Sequence, residues 1–238
     1  MRKIINATKP FVLSILHDAM MIVCILAPVL MGFAFRFLVP LLEKMLCQYF
    51  YLPQIIAPYY ILFDLLLAIM TPIMFCFSGV LVMLEEFDNG TAKYYFVTPV
   101  GKSGYLKSRL ILPALMAFIY DLLLLTIFTV SGLDPLMIIT FSICGVLMAV
   151  LCALLVVAFA KNKMAGMALI KLCGILLVGI PVVYFVTSPI QYLFSPLPSF
   201  WMAKISLTGN YLFIFPTVIT SSIIIMGLYK RFTVKKVS

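Results

Sequence analysis

The sequence predicts an all-α polytopic membrane protein with six transmembrane helices. Of its 238 residues, 65% are hydrophobic and only 11% are charged, whereas soluble domains average about 45–50% and about 25%. A soluble fold of this length could not cover its surface with 8 acidic and 17 basic residues. A helix that crosses the hydrocarbon layer needs about 20 mostly apolar residues. Six stretches meet this requirement, over residues 19–39, 59–84, 110–131, 136–160, 164–187 and 211–229.

The residues ahead of the first span favour a short helix at the membrane surface. Phe11 and Ile15 fall four residues apart on one helical face, while Asp18 lies on another. This pattern is typical of an amphipathic helix in the membrane interface. We therefore expect an interfacial N-terminal helix within residues 1–18. The alternative is that residues 11–18 extend the first span.

Positive charge predicts the side of the membrane on which each connection lies. Six spans place both termini on one side, together with the connections 85–109 and 161–163. This side carries 14 of the 17 Lys and Arg residues, including Lys171, whose alkyl stem can reach the interface. Because Lys and Arg collect in cytoplasmic loops, we expect both termini in the cytoplasm. The same distribution accounts for the net charge of +9 without nucleic-acid binding.

The connection between the second and third spans is the largest polar element of the chain. Residues 85–109 read EEFDNGTAKYYFVTPVGKSGYLKSR. Because Pro99 disfavours helix at Thr98, the pattern predicts a helix over about 90–97, a turn, and a new helix from near Ser103. An aromatic surface beside an exposed turn is suited to docking on a protein partner.

This connection resembles the equivalent element in permeases of the type 2 ABC exporter family. The resemblance rests on six positions at fixed spacing: Glu86, Gly90, Thr91, Thr98, Pro99 and Lys102. In that family the element touches a nucleotide-binding ATPase, so the resemblance implies that these residues transmit motion. It also implies separate ATPase subunits, which bind ATP and Mg²⁺, and a second permease copy or a paralogue. Ala92 and Lys93 depart from the family pattern, in which Leu and Glu are usual.

The last outer connection, residues 188–210, is unusually long and apolar. It reads SPIQYLFSPLPSFWMAKISLTGN and contains three prolines. The segment is too short to cross the membrane twice and too apolar for an ordinary hydrated loop. With Tyr192 and Trp201 near headgroup level, it is predicted to be a re-entrant or interfacial hairpin.

Two acids inside predicted spans are candidates for polar contacts in a transport pathway. Asp121 lies 12 residues beyond Arg109, about 18 Å along the helix and near mid-membrane. A charged Asp there costs about 2.5–3.5 kcal/mol, so Asp121 should face protein or water, or be protonated. Asp64 lies close to the outer end of the second span. For both acids the alternative is an interhelical hydrogen bond that fixes packing.

The sequence offers no motif for catalysis, for a metal or for a directly bound cofactor. Gly101, Lys102 and Ser103 match the end of a Walker A motif, but Phe96 stands where its first glycine is required. His17 is the single histidine, which excludes a multi-histidine metal site. The six cysteines form no C-x-x-C pair.

These observations predict one transmembrane permease domain, residues 1–238, in the cell membrane. Its expected function is export of a hydrophobic or amphipathic substrate, driven by ATP hydrolysis in separate subunits. The abundance of Phe, Met and Leu suits such a cargo. Two alternatives remain open: a proton-coupled secondary transporter that uses Asp64 or Asp121, and a non-transporting membrane anchor for a partner complex.

Overall fold

The computed structural model describes residues 19–97, Tyr105 and residues 107–232. Within these ranges the chain forms helices and turns and contains no β-strand. Six helical segments are long and apolar enough to cross a membrane, which confirms the predicted fold class. They are Ile22–Phe50, Ala57–Asp88, Ser108–Phe128, Pro135–Phe159, Lys163–Phe185 and Tyr211–Phe232. The predicted interfacial helix within residues 1–18 lies outside the described residues.

The first span is longer than its hydropathy predicts. It consists of α1 (Ala19–Phe33), a π-helical segment (Ala34–Leu38) and α2 (Val39–Phe50), so the predicted end at residue 39 is wrong. The continuation contains Pro40, which has no N–H to donate and so leaves one carbonyl of the preceding turn without its usual helical partner. The Val39 N–H bonds to the Ala34 carbonyl in the π register, and this shift lets the helix continue past the proline.

The remaining helices follow in chain order. They are α3 (Tyr60–Asp88), α4 (Thr91–Val97), α5 (Leu112–Phe128), α6 (Pro135–Phe159), α7 (Lys163–Leu172), α8 (Gly179–Phe185), α9 (Pro198–Thr208) and α10 (Ile214–Phe232). A second π-helical segment, Lys107–Ile111, leads into α5. A 3₁₀ segment, Cys173–Leu177, separates α7 from α8 within the fifth span.

Helices α3 and α6 form the centre of the bundle, and most of their residues are buried. They are in close contact where α3 contains Pro72, which cannot donate to the Ala68 carbonyl one turn earlier. Gly145 of α6 faces this carbonyl, and a Cβ atom there would lie 2.2 Å from the Ala68 oxygen. Only glycine therefore permits this contact between the two central helices.

The other spans surround this pair. Helix α1 packs on α3, α5 packs on both central helices, and α10 packs on α6. Helices α1 and α10 leave long rows of large apolar side chains exposed. In a membrane such faces meet lipid or another hydrophobic helix.

The two ends of the bundle differ in charge. One end, here called the basic end, contains the last turn of α3, the starts of α5 and α7 and the end of α10. At this end Phe87 packs against Phe232, and the Arg231 guanidinium lies 4.2 Å from the centre of the Phe159 ring. The opposite end contains the turn after α5 and residues 188–210.

Residues 188–210 fold into a compact hairpin of a 3₁₀ segment, Pro189–Phe194, followed by α9. Helix α9 is largely buried, and it packs against α8 and α10. The Trp201 indole N–H donates to the Ser195 carbonyl at 2.7 Å, and the hydroxyls of Tyr184 and Ser206 lie 2.7 Å apart. The depth of this hairpin in the bilayer stays a prediction.

Candidate functional site

The connection after the second span begins with a sharp reversal of the chain. Gly90 ends α3 with φ of +72°, in the left-handed region that favours glycine. Its N–H donates to the Phe87 carbonyl at 3.2 Å. Thr91 starts α4, and its hydroxyl donates to the Glu86 carbonyl at 3.1 Å. Three of the predicted coupling residues, Glu86, Gly90 and Thr91, therefore shape the turn from α3 into α4.

The Glu86 carboxylate joins the second span to the third. It accepts a hydrogen bond from the Tyr105 hydroxyl at 2.8 Å and one from Arg109 Nε at 3.0 Å. Its second oxygen pairs with Arg109 Nη2. Two guanidinium nitrogens thus engage the carboxylate in the fork geometry that makes Arg–carboxylate pairs strong and directional. We call Glu86, Tyr105 and Arg109 the Glu86 clamp.

The Glu86 clamp is enclosed by aromatic rings. Only 1% of the Arg109 side chain and 14% of the Glu86 side chain are exposed. The guanidinium carbon lies 5.6 Å from the Tyr95 ring centre and 5.7 Å from that of Tyr105, within cation–π range. Burial and the nearby Glu86 charge raise the pKa of the Tyr105 hydroxyl. Tyr105 therefore stays a neutral donor to the carboxylate.

A second ion pair at the basic end attaches the fifth span. Lys163 Nζ lies 2.7 Å from the Glu85 carboxylate, and the Lys163 backbone N–H donates to Asp88 at 2.7 Å. Asn162 caps the same helix by accepting from the Ala165 N–H at 2.8 Å. The start of α7 is thus fixed to the last turn of α3.

Sequence reasoning found only part of this site. Thr98, Pro99 and Lys102 lie outside the described residues, and their coupling role stays a prediction. Arg109 and Tyr105 were missed as partners of Glu86, since Arg109 was counted only as a marker of topology. One signal in the sequence was available: Glu86 lies at the end of the second span and the oppositely charged Arg109 at the start of the third.

Asp64 holds together the opposite ends of the same two spans. Its carboxylate is 1% exposed. It accepts from the Thr129 hydroxyl at 2.9 Å, from the backbone N–H groups of Val130 and Ser131 at 2.8 and 2.9 Å, and from the Ser131 hydroxyl. We call this group the Asp64 clamp. Its geometry favours the packing interpretation of Asp64.

The first span is attached to the third by two further contacts. Arg36, in the π-helical segment, donates to the carbonyl of Thr129, a residue of the Asp64 clamp. The Tyr120 hydroxyl donates to the Ile25 carbonyl at 2.7 Å. Polar contacts therefore connect the first three spans.

Asp121 has a different environment. It is fully buried in α5, beside the hydroxyls of Thr71 and Ser142. Neither carboxylate oxygen makes a hydrogen bond of good geometry with the described residues, and the Ser142 hydroxyl is likewise unpaired there. A buried carboxylate without such bonds is costly when ionised. This geometry fits the expectation of a protonated or protein-facing Asp121 and leaves its role a prediction.

Six apolar spans, with an ion pair that joins the second span to the third, are the architecture of a multi-pass membrane protein. A family model described as "Fluoroquinolones export permease protein Rv2686c-like" matches residues 12–230. The chain belongs to this family, whose members are ABC-2-type export permeases. The resemblance noted in the sequence is thereby confirmed. Searches of curated proteins and of solved structures found no match.

Membership of this family identifies the chain as an export permease and a transport subunit rather than an enzyme. It also agrees with the six spans, which place the chain in a membrane.

Proposed function

We propose that this chain is the membrane-spanning subunit of an ATP-driven exporter and that the Glu86 clamp receives the force. Separate ATPase subunits would bind ATP and Mg²⁺ and dock on the connection that contains Thr98, Pro99 and Lys102. Closure of the ATPase pair would push α4, and the clamp would pass the motion to the second and third spans. The observation that carries this proposal is the buried Glu86–Arg109 pair.

The two clamps support a mechanism in which the second and third spans move together, as one lever. The Glu86 clamp joins them at the basic end, and the Asp64 clamp joins them at the opposite end. Separating the spans at either end would expose an unpaired charge to an apolar environment, which is costly. A push at the basic end therefore moves both spans as one body, and Arg36 carries the first span along.

The proposed assembly has both termini and the basic end in the cytoplasm, where an ATPase can reach them. The excess of Lys and Arg at this end supports that orientation. The exposed apolar faces of α1 and α10 leave room for a second permease copy or a paralogue, which would complete the pathway.

The proposed substrate is a hydrophobic or amphipathic small molecule. The family description names fluoroquinolone export for the relatives on which it is based, and aromatic compounds of that kind fit this class. The apolar, methionine-rich surfaces between the spans also favour such a cargo.

Affinity purification of the full chain from its native membrane, in mild detergent, tests this proposal. We expect a Walker-motif ATPase to co-purify with the wild-type chain. Thr98→Trp should abolish co-purification and fluoroquinolone efflux while the protein remains monodisperse. Thr208→Trp, an exposed position at the opposite end, is the matched control and should retain both.

A different result would overturn the proposal. If the chain purifies without an ATPase, and efflux survives ATP depletion but stops when the proton gradient collapses, the proton-coupled alternative is correct. The Asp121 carboxyl, which makes no hydrogen bond of good geometry with the described residues, would then be the candidate proton site, since Asp64 is already held by several hydrogen bonds. A chain that supports no efflux at all would indicate a membrane anchor.

A further inference from the structure

A groove between the first, second and fifth spans is shaped to hold a small molecule. It has a volume of about 330 Å³, which lies within the usual range for small-molecule sites. Ala27 of α1, Met70, Met74 and Phe77 of α3, and Gly174 of the fifth span contribute to its walls. Thioether and aromatic side chains give an adaptable surface for a flat apolar body.

Among the described residues, Lys171 is the one charged residue that lines this groove. It lies eight residues beyond Lys163 along α7, about 12 Å from the basic end. Its side chain is exposed, and it makes no hydrogen bond or ion pair with the part of the chain that the structure describes. An ionisable residue inside a membrane span is expensive to maintain and usually serves a polar partner.

The neighbouring cations are placed differently. Lys163 pairs with Glu85, Arg109 pairs with Glu86, and Arg231 covers the Phe159 ring. Lys171 thus combines a charge without a described partner and an apolar wall that can accept the body of a ligand. The complementary ligand carries a negative group at one end and an apolar ring system at the other.

We infer that this groove binds the transported molecule as an amphipathic anion, with Lys171 pairing with its acidic group. This inference rests on the proposed function for its link to transport, but binding requires neither ATP nor an ATPase. The groove lies between the first and second spans on one side and the fifth span on the other.

Equilibrium binding to the full chain in nanodiscs of phosphatidylcholine tests the inference. The probes are 1-pyrenebutyrate and its uncharged analogue 1-pyrenebutanol, with empty nanodiscs as the background. Lys171→Gln should weaken pyrenebutyrate binding about 10- to 100-fold, the range for loss of a charge-assisted hydrogen bond. Pyrenebutanol binding should stay within about twofold, and Lys171→Arg should retain most pyrenebutyrate binding. Lys161→Gln, which changes a cation outside the groove, should have no effect.

A pair of glycine variants tests the location of the site. A Cβ atom added at Gly174 or at Gly227 would meet no heavy atom of the described surrounding residues within 4 Å, so a side chain can leave the backbone freely at both positions. Gly174 lines the groove, and Gly174→Leu should weaken binding of both probes. Gly227 lies on α10, away from the groove, and Gly227→Leu should leave both affinities unchanged.

Several outcomes would overturn the inference. They are unchanged pyrenebutyrate binding in Lys171→Gln, equal losses for both probes in that variant, or equal effects of the two leucine variants. An anionic lipid is the other possible partner of Lys171. If Lys171→Gln releases co-purified phosphatidylglycerol but leaves pyrenebutyrate binding intact, the groove belongs to lipid. None of these results bears on ATPase co-purification, so the two proposals can fail separately.

Discussion

Removal of the Arg109 guanidinium should destabilise the protein through the charge that it leaves behind. Arg109→Met keeps an apolar stem of similar length but leaves the Glu86 carboxylate with Tyr105 as its remaining clamp partner. Breaking a buried ion pair by deleting one partner costs about 3–5 kcal/mol. Because Glu86 retains 14% exposure, we expect a cost near the lower end, about 3 kcal/mol.

This cost corresponds to a measurable change in melting temperature. At this chain length, 1 kcal/mol shifts the midpoint by about 2–4 °C, so Arg109→Met should melt about 6–12 °C below the wild type. Size-exclusion chromatography of detergent-solubilised protein after fixed heating times measures this shift. The fixed heating time matters because membrane-protein unfolding is often irreversible and depends on rate.

Two comparisons separate the charge effect from a packing effect. Lys163→Met breaks the more exposed pair with Glu85, whose side chains are 23% and 47% exposed, and should cost at most about 1 kcal/mol. The triple variant Glu86→Met, Tyr105→Phe, Arg109→Met replaces the whole clamp with apolar groups and should recover most of the stability. If the triple variant melts as low as Arg109→Met, or if Arg109→Met melts within 2 °C of the wild type on this scale, the reasoning is refuted.

Three further substitutions test the remaining parts of the site by the same melting assay. Asp64→Asn should cost about 1–3 kcal/mol because the backbone and hydroxyl donors lose their charged acceptor. Asp134→Asn, which changes an exposed acid at the same end, should leave the stability unchanged, and equal effects of the two variants would contradict the Asp64 clamp. Gly90→Ala should cost about 1 kcal/mol because the φ of Gly90 is +72°, while Gly227→Ala should not lower the melting temperature. An unchanged melting temperature in Gly90→Ala would show that the turn relaxes to accept the alanine. Asp121→Asn should melt within about 2 °C of the wild type and keep efflux of the proposed substrate, because neither carboxylate oxygen makes a hydrogen bond of good geometry with the described residues. Loss of a proton-dependent efflux in this variant would support proton coupling instead.

The six spans were predictable because one strong constraint determines them. The bilayer requires a long apolar run in each helix, and hydropathy reports this requirement directly. The end of the first span was missed because hydropathy and proline position do not report hydrogen-bond register. A π-helical segment absorbs Pro40, and α2 continues through residues that an apolar window would exclude.

The partners of Glu86 were harder to predict because they depend on how the connection folds. Arg109 lies 23 residues from Glu86 in sequence, and two basic residues, Lys107 and Arg109, were available near the start of the third span. The left-handed turn at Gly90 and the contact between the Tyr95 and Tyr105 rings accompany the pairing of Arg109 with Glu86. Sequence spacing identifies the element but leaves the choice among several cations open.

The two intramembrane acids illustrate the same limit. Both lie in apolar runs, so composition assigns them similar roles. Asp64 meets a turn whose backbone N–H groups converge on its carboxylate, whereas Asp121 faces helices whose backbone donors are already used. A helix interior offers a carboxylate only side-chain hydroxyls. Sequence alone does not show which end of a helix, or which neighbour, an acid will meet.

Helix irregularities, rather than the clamps, are the expected points of bending in the lever. Both π-helical segments end two residues before a proline, at Pro40 and at Pro113. Prolines and π-bulges are the usual causes of sharp helix kinks, whereas a fully satisfied buried ion pair resists separation. The segment Lys107–Ile111 contains Arg109 and directly precedes α5. A push transmitted through the Glu86 clamp would therefore reach the third span at a helix irregularity, next to the proline at the start of α5.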